Sequence, residues 1–326
     1  TATGTTLTRT LDESSTGSLL NLSGSAVVYV TAAAEDIPAP QELYAENPVS
    51  PSAPVATGDN AVAIGISYAS GLQATAIGIG DNTSAYGASD TRTSALGFRA
   101  KASNAVTTAI GPLTVASGSS AMAVGYGATA SGSSSSAFGS YGTASANRAL
   151  VISNASAANG TEATGQFSVA VGNNAKSALY GKFAFANGRF SANGDAQIGI
   201  FVLRSDTTDA TPEALTSRNN AAAADNQIIL PNNSAYAFHG TIVARQQAST
   251  GTACAAWKIE GLIRREGSAG TTVLVNSATT VLDNTPAWGM ALSADTTNGG
   301  LKIEVTGAAA TNIRWVATIN TSEVTY

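Results

Sequence analysis

The chain has 326 residues, of which 44% are apolar and only 11% are charged, and its formal net charge is −5. This composition is too apolar and too weakly charged for an intrinsically disordered chain. Sixteen lysines and arginines against 21 acidic residues do not favour nucleic-acid binding, and no apolar run approaches the length of a membrane span. We therefore expect neither nucleic-acid binding nor membrane insertion.

The N-terminal part of the sequence divides into two segments. Residues 1–35 contain a strand-like stretch, SLLNLSGSAVVYVTAAA, and lack the charged and apolar blocks of a signal peptide. Residues 36–57 hold five of the nine prolines, which favours an extended, semi-rigid connector. We predict an N-terminal attachment module at 1–35 and a proline-rich linker at 36–57. A pair of strands that caps the following repeats is the alternative for the first segment.

Residues 58–203 carry a short repeat, whose marker is a small residue, an alanine, an apolar residue and a glycine. The marker occurs as VAIG, TAIG, SALG, TAIG, MAVG, SAFG and VAVG. Its glycines are spaced by fourteen residues from Gly97 to Gly139, and the next step, of 33 residues to Gly172, indicates one or two further coils with small insertions or deletions. A second marker, such as VASG at 115–118, lies near the middle of each repeat.

Each repeat contains two short alternating segments separated by glycine-rich corners, which predicts two strands per coil. Stacked coils of this kind form a parallel β-solenoid. A two-strand coil is so flat that its interior holds only side chains of the size of alanine, valine and isoleucine. Outward aromatic residues such as Phe138, Tyr126 and Tyr141 are awkward on a monomer, so we expect three rolls around a common axis. A single-chain β-helix is the alternative.

The fourteen-residue AIG…ASG pattern resembles the head repeat of YadA-like trimeric adhesins, and similar repeats are found in bacteriophage fibres. The resemblance covers residues 58–200 and implies a trimer of left-handed parallel β-rolls. The sequence shows no heptad stalk and no C-terminal membrane-barrel segment. We therefore expect an appendage on the surface of a virion rather than an outer-membrane adhesin.

The repeat ends near residue 203, and residues 204–226 are interpreted as a linker or a short helix. The last hundred residues contain longer alternating segments separated by turn signals, at 235–247, 253–266, 271–282, 287–295, 301–308 and 312–324. This pattern predicts an antiparallel β-sandwich over 227–326. All three tryptophans lie in this part of the chain, and we expect them in its core.

The chain has one cysteine, Cys254, and one histidine, His239, so it cannot form an intrachain disulfide or by itself a Cys/His metal cluster. We expect a buried, unreactive thiol and a packed or surface imidazole. No cofactor and no metal are predicted.

Proteins built on solenoids often cleave polysaccharides, and this hydrolysis requires two carboxylates at a fixed separation. Asp81 and Asp90 bracket one insertion and could approach each other on a loop. Glu260 and Glu266 lie six residues apart on one strand, about 20 Å, which is too far for a hydrolytic pair. We therefore expect a protein that is not an enzyme.

Together these features predict an all-β homotrimeric fibre of a bacterial virus, a tail or head appendage with a β-roll shaft and a C-terminal tip. The N-terminus would bind a portal, tail or capsid protein, and the tip would bind a glycan or protein of the host surface. Residues that flank the predicted turns of the tip are candidate receptor contacts: Glu266, Ser268, Asp295, Asn298, Ala309 and Asn312. A structural or decoration fibre without a receptor, and a fragment of a bacterial surface adhesin, are the alternatives.

Overall fold

The computed structural model describes residues 52–155, 160–248, 251–284 and 286–326, together with the backbone of two short strands near the N-terminus. The chain divides into two compact units, Thr1–Asn47 and Pro48–Tyr326. In the first unit, strands Ala2–Thr3 (β1) and Thr6–Leu7 (β2) pair in an antiparallel manner. The rest of the predicted attachment module and residues 36–51 of the predicted linker lie outside the described residues, so both stay predictions.

The next part of the chain consists of eighteen short strands, β3 to β20. In chain order they are Val55–Ala56, Val62–Ile64, Tyr68–Ala69, Thr75–Ile77, Gly87–Ala88, Ser94–Leu96, Lys101–Ala102, Thr108–Ile110, Val115–Ala116, Met122–Tyr126, Thr129–Ala130, Ser136–Ser140, Thr143–Ala144, Leu150–Asn154, Glu162–Ala163, Val169–Asn173, Lys176–Ser177 and Phe183–Asn187. The first of them lies within the segment predicted as a linker.

These strands form a parallel β-solenoid of about nine turns, as the repeat predicts. The even-numbered strands β4 to β20 stack side by side in one sheet, and the odd-numbered strands β3 to β19 stack in a second sheet of nine strands. Within the regular region the register advances by fourteen residues, so that Ala109 pairs with Ala123. The step of 33 residues holds two coils, and Ser153 occupies the glycine position between Gly139 and Gly172.

The interior of the solenoid is filled almost entirely by alanine. Its buried core cluster consists of alanines apart from Ile79 and Val151. Buried threonines at the corners donate their hydroxyl groups to carbonyl oxygens three residues earlier, as Thr107 does to Asn104 at 2.7 Å. The two sheets are thus too close for larger side chains, in agreement with the expectation from the flat coil.

The glycines of both repeat markers lie where consecutive coils touch. Gly111 has a φ of +111°, and a Cβ atom there would lie 1.8 Å from the carbonyl oxygen of Gly125 in the next coil. At Gly118, in the second marker, a Cβ atom would lie 2.0 Å from the carbonyl oxygen of Gly132. Any side chain at these positions would push the coils apart, which explains why the two markers recur.

The C-terminal region is antiparallel and extends one of the solenoid sheets. Strand β20 pairs with Ala196–Thr207 (β21), after which the sheet continues in the spatial order β29, β24, β25 and β26. These strands span Ile313–Thr325 (β29), Ser234–Gln246 (β24), Cys254–Arg265 (β25) and Val273–Asp283 (β26). We call the resulting sheet of fourteen strands the long sheet.

A smaller antiparallel sheet accompanies the last part of the long sheet. It consists of Pro212–Ala214 (β22), Ile228–Ile229 (β23), Gly289–Asp295 (β27) and Gly300–Thr306 (β28), and β28 pairs with the other three. A 3₁₀ turn at Ala269–Thr271 precedes β26. The six segments that the sequence indicated as strands agree with the observed strands to within two residues at each end.

Residues of both C-terminal sheets share one core. All three tryptophans are buried in it, and Trp315 lies with its ring centroid 5.7 Å from those of Trp257 and Trp288. The indole nitrogen of Trp315 donates to the hydroxyl of Thr207 at 2.9 Å. Two antiparallel sheets thus share one core in this region, and the expected β-sandwich and its role as a tip stay predictions.

The segment 204–226 differs from its interpretation as a linker or short helix. Strand β21 continues through residue 203 to Thr207, and β22 follows at Pro212–Ala214. The reason is that β21 serves both regions: its first half pairs with the solenoid, whereas Leu203 and Thr207 are buried in the C-terminal core.

Candidate functional site

The six candidate receptor contacts fall into two groups at opposite ends of the C-terminal strands. One end holds the turn after β25 and the hairpin between β27 and β28, which adjoin each other because a Cβ atom on Gly299 would lie 3.1 Å from the Cβ atom of Ala269. Strand β29 begins at the other end. Its thirteen residues span about 40 Å, which is the distance between the two ends. The first group is Glu266, Ser268, Asp295 and Asn298, and the second is Ala309 and Asn312.

The side chains of the first group are engaged in their own turns. The Asp295 carboxylate accepts hydrogen bonds from the backbone N–H groups of Thr297 and Asn298, both at 2.9 Å, and from the Asn298 amide at 2.8 Å. Partial burial would raise the pKa of Asp295, but these donors hold it below its ordinary value. Glu266 forms an ion pair with Arg264, and the exposed Ser268 begins the 3₁₀ turn.

The second group contributes backbone groups to the loops at the other end. The carbonyl of Ala309 accepts from the Thr311 hydroxyl at 3.1 Å, and the carbonyl of Asn312 accepts from the N–H of Gln247 at 2.7 Å. Both residues are exposed. Since the six residues form two separated groups, they cannot line one small receptor site within a single chain, and their role in receptor binding stays a proposal.

The carboxylates considered for hydrolysis are bound within their own loops. Asp81 accepts from the N–H of Thr83 at 2.8 Å, and hydrogen bonds from Thr83 lower its pKa. Asp90 accepts from the N–H of Thr91 at 2.6 Å. No group of three or more His, Cys, Asp or Glu side chains in the described residues is placed to hold a metal ion.

A buried ion pair that no sequence pattern indicated lies at the junction between the solenoid and the C-terminal region. Lys182, in the last coil, donates to the Glu323 carboxylate of β29 at 2.6 Å, and the two side chains are 4% and 0% exposed. Glu323 also accepts from the amide of Gln197 and the hydroxyl of Thr321, both at 2.7 Å. The carboxylate therefore ties together the last coil, β21 and β29.

Burial shifts the pKa values of two side chains at this junction. It lowers the pKa of Lys182 against the attraction of Glu323, and it raises the pKa of Tyr236 well above its ordinary value, with the Glu323 charge acting in the same direction. The Lys182 ammonium also lies 5.4 Å from the centroid of the Phe201 ring. A cavity of about 380 Å³ adjoins the pair, with aliphatic walls that include Leu179 and Leu230.

One signal in the sequence could have found this junction. Alternation along β29 places Ile313, Trp315, Ala317 and Ile319 inward, and the same parity places Glu323 inward. A charged residue at an inward position requires a partner. The partner, 141 residues away in sequence, is not indicated by any spacing.

A hydrogen-bonded loop follows the last solenoid strand beside this junction. The carboxylate of Asp195, a residue 3% exposed, accepts from the backbone N–H groups of Phe190, Ser191 and Ala192 at 2.6–2.9 Å. Burial would raise the pKa of Asp195, but these backbone donors together hold it below its ordinary value.

Cys254 and His239 both lie on the outer face of the long sheet. His239 is exposed between Glu260 and Asn320 of the neighbouring strands. Cys254 is also exposed, so the expectation of a buried thiol is wrong. The reason is its place as the first residue of β25, on the outward parity and opposite Arg245.

A continuous column of large apolar side chains runs along the outside of the solenoid. It occupies the third position of the seven repeat markers and the corresponding position of two coils without a marker, and the members of successive coils pair directly in the register. Four of them are 38–48% exposed, namely Leu96, Ile110, Ile152 and Phe185. We call this column the outer ladder; its members are Ile64, Ile77, Leu96, Ile110, Val124, Phe138, Ile152, Val171 and Phe185.

Comparisons with known proteins agree with the repeat. The model of the YadA head domain repeat matches residues 56–80, 116–141, 159–175 and 163–191, about a quarter of the chain. No curated protein sequence matches the chain. Among the described residues, no helix is long and apolar enough to cross a membrane.

Two solved structures of phage proteins are weakly similar. One is a tailspike protein, gp49, from Acinetobacter baumannii bacteriophage Fri1, a capsular polysaccharide depolymerase, with 9% identity, a TM-score of 0.23, and coverage of 63% of this chain and 41% of that chain. The other is the Acinetobacter phage vB_ApiP_P1 tailspike protein, with 11% identity, a TM-score of 0.17, and coverage of 81% and 64%.

The chain thus spans less than two thirds of either tailspike, and similarities at these scores carry no argument about fold or activity. The repeat itself is specific, because the matched segments coincide with coils whose markers, register and glycine contacts are those described above. The chain carries YadA head domain repeats, folded as a parallel β-solenoid.

Proposed function

We propose that the chain is the subunit of a homotrimeric fibre on the surface of a bacterial virus. Its N-terminal segment attaches the fibre to a portal, tail or capsid protein, the solenoid is the shaft, and the C-terminal β-sandwich is a tip that contacts a glycan or protein of the host. Three weak contacts on one rigid rod give avidity without further contacts by each subunit.

The outer ladder is the observation that carries this proposal. Nine successive coils each place a large apolar side chain on the outer surface, partly or largely exposed, while the alanine interior buries little apolar surface of its own. Covering a half-exposed isoleucine or phenylalanine contributes about 1 kcal/mol. Rolls packed around a threefold axis would cover every member of the ladder at once, since cyclic symmetry places the same face of each chain toward the axis.

Sedimentation velocity on the purified chain tests the trimer, because it reports mass and elongation together. One chain has a mass of 32.4 kDa, so a trimer sediments as an elongated particle of about three times that mass. A compact particle with the mass of one chain would contradict the trimer and leave the single-chain solenoid.

A substitution in the ladder tests where the subunits meet. Ile152→Asp places three carboxylates on the proposed axis, and we expect monomers or aggregates in place of the trimer. Thr143→Asp, on the outward face of the other solenoid sheet, is the matched control and should leave the trimer intact. Equal behaviour of the two variants would show that the ladder is not the contact.

Binding of the purified protein to host cells separates a receptor-binding fibre from a structural or decoration fibre. Among candidate contacts, Glu266 and Ser268 are the most accessible of the first group. The YadA head repeats also favour a second candidate, a fragment of a bacterial surface adhesin; immunogold labelling of virions and of cells distinguishes the two. The proposal includes no catalysis, and loss of capsular polymer on incubation with the protein would overturn that part.

A further inference from the structure

The outer face of the antiparallel part of the long sheet carries exposed large aliphatic side chains among polar ones. Its inner face contributes to the tryptophan core, whereas its outer face leaves six large aliphatic side chains 40–56% exposed. They come from four neighbouring strands, β21, β29, β24 and β25. These residues are Ile198, Val202, Val243, Leu262, Val316 and Val324.

This apolar face continues the outer ladder. Phe185, the last member of the ladder, pairs with Ile198 of β21, so both side chains lie on the same side of the same sheet. From Ile198 the register runs through Ser322 of β29 and Ala237 of β24 to Leu262 of β25, all on the same side of the sheet. No turn or break separates the two parts, because hydrogen-bonded strands connect them throughout.

A second cluster lies where the C-terminal strands extend beyond the width of the solenoid. Val316 pairs directly with Val243, and three exposed arginines border the pair. None of these arginines forms an ion pair with another described residue. Arginine is enriched at protein–protein interfaces, where a polar rim surrounds an apolar core. The three are Arg204, Arg245 and Arg314.

We propose that this outer face packs against a second copy of the chain, so that the subunit contact of the shaft continues through the C-terminal region. The inference rests on the proposed trimer and names a contact that the head repeats do not contain. The occupant is another copy because the face is continuous with the outer ladder in strand order, register and side. The tip is then a single trimeric body rather than three independent domains.

A covered outer face would limit the surface that can contact the host. If the outer face is covered, the surface left for a receptor is the smaller sheet with β27 and β28, together with the loops at the strand ends. Those loops contain the six candidate contacts, whereas His239 and Cys254 lie on the covered face.

Cysteine labelling of the full chain tests the contact. In a Cys254→Ser background, Val316→Cys reports on the outer face, and Ser293→Cys, exposed on β27 of the smaller sheet, is the matched control. We expect a maleimide to modify position 316 about tenfold or more slowly than position 293, because labelling then requires local opening of the interface. Tryptophan fluorescence verifies folding, since all three tryptophans lie in this region.

Adding Ile152→Asp to the Val316→Cys chain should release the protection as the trimer dissociates. Equal labelling rates at 316 and 293 in a particle of trimeric mass would overturn the inference and leave the proposed fibre intact. Protection at 316 that persists in monomers would also overturn it. A monomeric parent chain would instead contradict the proposed function.

Discussion

The solenoid and the C-terminal region share one sheet but are stabilised in different ways. The buried apolar cluster of the solenoid is alanine with two exceptions, whereas the C-terminal core contains three tryptophans and many isoleucines and leucines. Hydrophobic stabilisation scales with the apolar area removed from water, so the solenoid gains little from its own interior. It depends on backbone ladders, close contacts between coils and, in our proposal, neighbouring subunits. A sheet can therefore be continuous while its source of stability changes along its length.

We expect the largest loss of stability where a glycine at a contact between coils is replaced. In Gly125→Ala the new Cβ would lie 1.8 Å from the Gly139 carbonyl oxygen, at a φ of +131°. Strain and overpacking should together destabilise the solenoid by about 3–6 kcal/mol. Gly188→Ala, where a Cβ would meet nothing within 4 Å, is the control and should be close to neutral. Thermal unfolding followed by circular dichroism measures both.

The junction ion pair couples the two regions. Lys182→Met leaves the Glu323 carboxylate buried without its cation and should cost about 3–5 kcal/mol. The double variant Lys182→Met/Glu323→Leu removes both charges, and we expect it to lie within about 1 kcal/mol of the parent chain. Guanidinium unfolding monitored by tryptophan fluorescence gives these values. A double variant as unstable as the single one would show that the pair does more than neutralise a buried charge.

A matched pair of core substitutions sharpens the contrast in packing. Ala123→Val overfills the thin solenoid and should cost about 1–3 kcal/mol, although it adds apolar volume. Ile259→Val removes one methylene from the C-terminal core and should cost about 0.5–1.5 kcal/mol. Both residues are 0% exposed. If Ala123→Val stabilised the chain, the solenoid interior would have room that the structure does not indicate.

We expect the smallest effect from Asp195, whose contribution to stability at the end of the solenoid depends on pH. Because the folded-state pKa of Asp195 is lowered, its stabilisation is present above the unfolded value near 4 and is lost as pH falls through the folded value. Asp195→Asn should cost about 1–2 kcal/mol at pH 7, and the difference from the parent should shrink below about pH 4. A difference that stays constant down to pH 2 would contradict this assignment.

The repeat region was predictable because its information is local. The fourteen-residue step set the register, the marker glycines set the corners, and the small residues set the thin interior. The alternating segments likewise placed the C-terminal strands, such as β24 and β29, to within two residues. The coil at 150–153 was not recognised from the sequence, because Ser153 stands at the position where the repeat marker has a glycine.

The amino-acid sequence by itself determined the class of fold, the coil length and the strands, since each follows from short-range periodicity in side-chain size and polarity. Tertiary structure alone decided that β21 belongs to both regions, that Cys254 faces outward, and that Lys182 finds Glu323. It also placed the outer ladder and the C-terminal aliphatic face on one side of one sheet. These features depend on contacts between segments far apart in sequence, whose pairing no local pattern encodes.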